Sequence, residues 1–255
     1  ELLSRWIELG FASGVMRTQA NGYDLGSFAG RRAQITDPEV LPIWARYARL
    51  RTRMLPELEA AERRYDAEGL PVMRHLALTH PDDPQAVARD DQWMLGDDLL
   101  VAPVLEQGAT SRRAYLPAGR WVELWRSADG ELRRLSRAPT LTGGREVTLR
   151  APLDELPLLV RYGASLELLP DGGPSWREAV AGGAGRRSIL AFGGRTLRLS
   201  GERRRRYDVQ WSVPRKPSSL RQGGRRVKFR YSRGGVRATI RARSTTLRLR
   251  WNSRL

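Results

Sequence analysis

Gln92–Val104 reads QWMLGDDLLVAPV, and this stretch decides what the chain around it becomes. Leu99-Leu100-Val101-Ala102-Pro103-Val104 is a continuous apolar run, too short for a helix and preceded by the turn residues Gly96-Asp97-Asp98, which predicts a largely buried strand. Working outward, Pro71–Leu76 reads as a second strand. Arg113–Pro117 and Gly119–Trp125 read as a hairpin, and Glu146–Arg150 and Leu158–Arg161 as further strands. Gly, Pro and Asp turns separate them, the spacing of a β-sandwich.

The residues on the N-terminal side change period. Leu2, Leu3, Trp6, Ile7 and Leu9 fit an amphipathic helix that stops near Gly10. Gly14–Thr18 is short enough for a buried strand, and a glycine-punctuated loop follows to about Gln34. Thr36 and Glu39 have capping-box spacing, and Val40, Trp44, Tyr47, Leu50, Met54, Leu58, Ala61 and Tyr65 then recur every three or four residues. Pro56 is expected to kink that helix, and Gly69 with Pro71 to end it.

Charge marks the other boundary. Residues 168–255 hold 23 Lys/Arg against 4 Asp/Glu, a net of +19, whereas residues 1–167 hold 22 against 24, a net of −2. Thr196–Leu199, Arg226–Tyr231, Val236–Arg241 and Leu247–Trp251 alternate apolar with basic residues, which predicts strands with one face inward and an arginine face outward. The expected parts are therefore 1–69, 70–167 and a small basic β domain at 168–255. There is no cysteine, so disulfides and thiolate metal sites are excluded, and a reducing compartment, the cytoplasm, is the expected location. No apolar run is long enough to cross a membrane as a helix. Glu1-Leu2-Leu3-Ser4-Arg5-Trp6 has neither an initiator Met nor a basic signal head and reads as helix interior, with a portion expected upstream.

Four motifs in order carry a resemblance. ELLSRWIELGFASGVMRT (Glu1–Thr18), GLPVMRHLALTHPDD (Gly69–Asp83), QWMLGDDLLVAPVLEQG (Gln92–Gly108) and AYLPAGRWVELW (Ala114–Trp125) resemble the C-terminal part of glycoside hydrolase family 31. The resemblance implies the C-terminal end of a catalytic (β/α)₈ barrel, a proximal antiparallel β-sandwich and a distal small β domain, an α/β plus β architecture. It implies a retaining α-glycosidase acting on α-linked sugars, in which two aspartates about 5–5.5 Å apart do the chemistry. Both lie upstream of the segment matching Glu1, so no catalytic residue is assignable here and the chain alone is expected to be inactive. No cofactor and no metal are expected, and the expected partner is a carbohydrate substrate.

The site residues the resemblance offers are Arg17 and Gln19, at the end of the final barrel strand, where barrel active sites open. The family carries Arg-x-His there, and the histidine hydrogen-bonds the sugar. Gln19 can donate and accept but cannot share a proton near neutrality, leaving open a changed sugar preference or lost activity. Met16-Arg17-Thr18 also resembles the sulfoquinovoside-cleaving branch, and a buried salt bridge closing the barrel is the alternative role for Arg17.

Other chemistry-bearing residues read as structural. Tyr23-Asp24-Leu25-Gly26-Ser27-Phe28 mimics an Asp-Ile-Gly-Gly-Phe motif of the family but follows, rather than precedes, the helix at Glu1–Phe11. Asp82-Asp83, Asp90-Asp91 and Asp97-Asp98 suit turns better than a carboxylate pair. His75 and His80, the only histidines, have no ligand-like carboxylates at hand. Trp121 and Trp125, four apart on the expected strand, read as sandwich core before carbohydrate platform. Two further readings concern the tail. Arg203–Arg206 and the +19 third fit a nucleic-acid or anionic-surface binder, though without any recognised nucleic-acid motif. Alternatively, so acid-poor a tail fits a shifted reading frame in a GC-rich gene.

Overall fold

In the computed structural model, residues 1–17, 33–137, 139–171, 177, 181, 185–232 and 234–251 are described. They are mostly β-sheet with few helices. At the front, α1 (Leu2–Phe11) buries Ile7 and Phe11, four apart on one face, and leaves Leu2 and Trp6 exposed. The periodic stretch after Thr36 is two helices, α2 (Leu41–Arg53) and α3 (Leu55–Glu68), where one kinked helix was expected. Pro56 has no N–H and its ring excludes the carbonyl four residues back, so the chain stops at Met54 and restarts with Pro56 in the first turn of α3. Gly69 ends α3 in the left-handed region at φ 73°. The start differs from the capping-box expectation. Residues 35–40 make turns, the Asp37 carboxylate accepts the Gln34 N–H at 3.0 Å, and the helix begins at Leu41. Residues 15–17 form no strand, and Val15 is 72% exposed, because no described strand lies beside them to complete a ladder.

The next elements are β1 (Met73–Arg74), α4 (Leu76–Thr79), α5 (Pro84–Val87), β2 (Trp93–Leu95), β3 (Leu99–Val101), β4 (Ser111–Leu116), β5 (Arg120–Glu123), α6 (Leu124–Ser127), β6 (Thr140–Thr142), β7 (Arg145–Arg150) and β8 (Leu158–Arg161). They build an antiparallel six-stranded sheet in the order β1-β2-β3-β8-β5-β6 and a separate β4–β7 ribbon. The strand expected at Leu99 is the centre of that sheet, pairing Leu99 with Val160, Leu100 with Leu159 and Val101 with Leu158. Both faces are dry. Leu99, Val101, Leu158 and Val160 pack with Phe11, Tyr47 and Leu50 of the helices. Leu100 and Leu159 pack with Met94 and Trp121 against Ala114, Leu116 and Leu149 of the ribbon.

The 113–125 hairpin is not formed. β4 pairs with β7, while β5 pairs with β6 and β8. Ala114 and Leu116 face Trp121 across the core from another layer, and a hairpin would have put all three in one sheet with nothing opposite. The Trp121 indole donates to Pro117 O at 2.8 Å, turning the connection over. The tryptophans share no face either. The strand ends at Glu123, so Trp121 is fully buried toward the ribbon, while Trp125 sits on a helical turn and packs toward the helices.

β9 (Ser165–Leu168) leads into the basic third, which supplies β10 (Arg186–Phe192), β11 (Thr196–Leu199), β12 (Arg205–Ser212), β13 (Ser219–Gln222), β14 (Arg225–Val227), β15 (Arg230–Ser232), β16 (Gly235–Ala242) and β17 (Thr245–Arg250). A five-stranded sheet, β15-β16-β12-β10-β9, faces a four-stranded one, β11-β17-β13-β14. The ladders are antiparallel except β10–β12, which is parallel. The stretch Arg226–Tyr231, expected as one strand, divides between the two sheets as β14 and β15. The expected alternation is present. Leu197, Leu199, Leu247 and Leu249 are buried, while Arg198, Arg248 and Arg250 are exposed. That register, filled by one two-sheet core, argues against a shifted reading frame, whose residues would carry no such period. β10 joins the cores, with Ile189 and Ala191 facing the distal sheets and Leu190 and Phe192 packing beside Leu166 and Leu168 of β9 against the helix side. Among the described residues, no helix is long and apolar enough to cross a membrane.

Leu100→Ala removes a fully buried side chain from β3 with no room to relax on either face. We expect a loss of about 2–5 kcal/mol, read as a lower urea midpoint at unchanged slope.

Candidate functional site

The segment leading to Arg17 is held by three side chains. A helix leaves its last carbonyls without intrahelical partners, and the macrodipole makes that end partly negative. Arg51, in the last turn of α2, reaches the end of α1. Its Nη1 donates to the carbonyls of Gly10 (3.1 Å), Phe11 (2.9 Å) and Ser13 (2.7 Å), and its Nη2 donates to that of Gly14 (2.9 Å). Trp93 of β2 donates its indole N–H to Ala12 O at 3.1 Å. The Ser13 hydroxyl lies 2.9 Å from Gly10 O and 2.7 Å from Val15 O, able to donate to either. Met16 then tucks against the core beside Gly10, where a Cβ would meet its Cγ at 3.4 Å. Arg17 emerges exposed at the end of this clamped stretch.

A second set of contacts ties the helices to the sandwich loops. The Arg5 guanidinium donates to Pro152 O (3.0 Å), Ala151 O (2.9 Å) and Ala109 O (3.1 Å), and pairs with Glu8 at 3.0 Å. The Tyr47 hydroxyl donates to Asp154 O at 3.0 Å and accepts the Leu156 N–H at 2.9 Å. Glu8 is buried, and desolvation outweighs Arg5 to push its carboxyl up to about 7. Glu57, at the contact of α3 with β9, accepts the Glu167 N–H, yet burial pushes it up to about 8.

The candidates read from the sequence are dispersed. Arg17 is exposed, and among the described residues no element covers it. Gln19 and Tyr23–Phe28 lie outside the described residues. His75 caps α4, its Nδ1 accepting the Ala77 N–H at 3.1 Å. His80 lies against Thr79 and Arg161, and burial followed by the Arg161 charge lowers its pKa. The carboxylates are held in separate turns. Asp83 caps α5 and accepts from the Tyr115 hydroxyl at 2.7 Å, and Asp91 pairs with Arg112 at 2.5 Å. Asp97 binds Arg64 at 2.7 Å and the buried Arg74, and Asp98 faces Arg161 at 3.6 Å. Among the described residues, no three His, Cys, Asp or Glu side chains converge as a metal site.

Comparison with known proteins fits this geometry of a braced support. Residues 69–166 match the model of the glycosyl hydrolase family 31 C-terminal domain. The chain is a C-terminal portion of family 31. It is 35% identical over 167 residues to the sulfoquinovosidase of Agrobacterium fabrum, covering 65% of this chain and 23% of that protein. It resembles the family 31 dextranase of Flavobacterium johnsoniae, solved with glucose, at a TM-score of 0.74 and 18% identity. That likeness covers 98% of this chain and 37% of the dextranase, and it extends the shared fold through the basic third. A cycloalternan-degrading enzyme of Trueperella pyogenes, solved with a covalent intermediate, matches 64% of this chain and 22% of its own at 29% identity and a TM-score of 0.54. The chain thus spans under a quarter of the sulfoquinovosidase. Trp93, which clamps Ala12, belongs to the Gln92–Val104 stretch inside the family 31 domain. This stretch is therefore a fastener between the domain and the segment bearing Arg17.

Two measurements check the clamp and the buried acids. Arg51→Met leaves four carbonyls without the guanidinium, and we expect a loss of about 2–4 kcal/mol in unfolding, with faster hydrogen exchange along residues 10–17. The folded state holds the Glu8 and Glu57 protons more tightly than the unfolded chain, whose carboxyls titrate near the ordinary glutamate value of 4.5. Their favourable contribution is therefore complete below pH 4.5 and lost as pH rises to about 8. Glu57→Gln is expected to flatten the decline of stability between pH 5 and 8.5.

Proposed function

We propose that the protein to which this chain belongs is a retaining α-glycosidase that hydrolyses O-glycosidic bonds of α-linked sugars. In this reading, residues 1–69 are the end of its catalytic barrel, 70–167 the proximal sandwich and 168–255 the distal β domain, with the catalytic carboxylates upstream. The family 31 domain at 69–166 is the observation that carries the reading. The relatives support the coarser statement of an α-glycosidase or glycosyltransferase family, and the covalent intermediate of the cycloalternan-degrading enzyme supports retention. The exposed Leu2, Trp6 and Val15, at 73%, 60% and 72%, support a surface that further barrel elements cover.

Arg17 and Gln19 are then substrate-contacting groups at the mouth of the barrel, and Arg17 follows directly on the segment that Arg51, Ser13 and Trp93 hold. The sandwich does no chemistry; it fixes where that mouth stands.

The test uses the full-length protein on aryl α-glycosides, with product anomers followed by NMR. We expect turnover with the α configuration kept, a roughly 10²-fold lower kcat/KM for Arg17→Ala, and an altered sugar preference for Gln19→His. The 255-residue chain alone is expected to give no turnover. No hydrolysis by the full-length protein, or product of inverted configuration, would sink the proposal.

A further inference from the structure

The five-stranded distal sheet carries like charges directly opposite one another. Arg186 on β10 pairs in register with Arg206 on β12, and Arg206 pairs with Arg241 on β16. The three side chains therefore stand on one face, about 4.7–4.9 Å apart from strand to strand. They are exposed, and with Gly185, Arg204 and Arg205 they line a concavity of about 590 Å³. The next row on the same face is Ser188, Asp208 and Thr239. Asp208 is shared by Arg186 at 2.5 Å and Arg206 at 3.2 Å and also accepts from the Thr239 hydroxyl at 2.9 Å. Four residues along β16 from Arg241 stands Arg237, opposite Arg230 of β15. Among the described residues of these strands, this face holds five guanidinium groups and one carboxylate.

Like charges paired across strands destabilise a sheet, and one carboxylate leaves most of that repulsion in place. A ligand bearing repeated oxyanions would relieve it. Guanidinium forks bind carboxylate and sulfate groups in bidentate fashion, and a row spanning four strands suits a chain-like ligand better than a single ion. Single-stranded nucleic acid is held partly by aromatic platforms under its bases, and no exposed aromatic ring stands on this face among the described residues. We infer that the Arg186–Arg206–Arg241 row, extended by Arg237 and Arg230, is a docking site for an acidic polysaccharide, its sulfate or carboxylate groups held by the guanidinium groups. The choice of a saccharide as carrier of those groups rests on the glycosidase reading above.

Fluorescein-labelled heparin, followed by anisotropy with the 255-residue chain in 50 mM NaCl, tests this. We expect binding that weakens with salt, competition by polygalacturonate and none by neutral dextran. R186Q/R206Q/R241Q should weaken binding about tenfold. R198Q/R248Q/R250Q, which removes the same charge from the opposite sheet, should change it less than twofold. If the first triple variant loses its folded circular dichroism, R241Q alone is used, with an expected loss of about two- to threefold. Absence of binding, equal weakening by the two triple variants, no effect of R241Q, or a 20-nucleotide DNA binding more tightly than heparin would overturn the inference. Hydrolysis of neutral aryl α-glycosides by the full-length protein is read separately, so failure here leaves the glycosidase reading standing.

Discussion

Between β3 and β8, three residues of each strand lie side by side with no water on either face of the sheet. A strand at a surface tolerates polar residues at every second position, but Leu99-Leu100-Val101 against Leu158-Leu159-Val160 leaves no such position. Each face therefore needs its own cover, and the two covers differ in kind. Helices α1 and α2 close one side, and the β4–β7 ribbon closes the other. The ribbon's place explains why β4 leaves β5 and pairs instead with a strand some thirty residues further on. The helices' place explains why so many polar contacts gather at the α1–α2 end, where Arg5, Arg46, Tyr47 and Arg51 reach backbone carbonyls across the layer.

Those contacts have a common chemistry. A guanidinium satisfies several carbonyls at once, and loops between sandwich strands present carbonyls that no ladder uses. Arg51 and Arg5 do this at opposite ends of α1, fixing the helix along its length with Arg5–Glu8 as its one ion pair among the described residues. The cost falls on Glu8, whose carboxyl is drawn out of water and held near neutrality. The same economy of acids marks the distal sheets, where arginines crowd about Asp208 and Glu167.

For a family 31 portion, this arrangement divides labour cleanly. Among the described residues, nothing in the sandwich gathers titratable groups into a reacting pair. What the sandwich does is hold Ala12 through Trp93 while α2 holds the four carbonyls around it, so that the chain leaving at Arg17 starts from a fixed point. β10 extends the same rigidity outward, since its two faces belong to two cores and the distal sheets cannot shift without disturbing the helix side.

Much of this was legible in the residues alone. The run at Leu99, the Pro56 break, the Gly69 stop and the basic alternation of β11, β16 and β17 are local signals, fixed by volume, ring closure, left-handed backbone and period two. The family was legible too, because its motifs sit in α1, in the passage from α3 through β1 to α4, and in the buried strands β2, β3 and β5. Pairing was not. Arg113–Trp125 has a hairpin's spacing, and only the need to face Trp121 with another layer separates its halves. β10 and β12 begin in arginine runs that hide the apolar residues behind them, and Arg226–Tyr231 gives no sign of serving two sheets. Arg51 was invisible as a clamp, one arginine among many, until α2 lay against the end of α1. Sequence determines which faces must be dry, whereas the partner that dries each face, and the carbonyls left for an arginine to reach, are decided only when the layers meet.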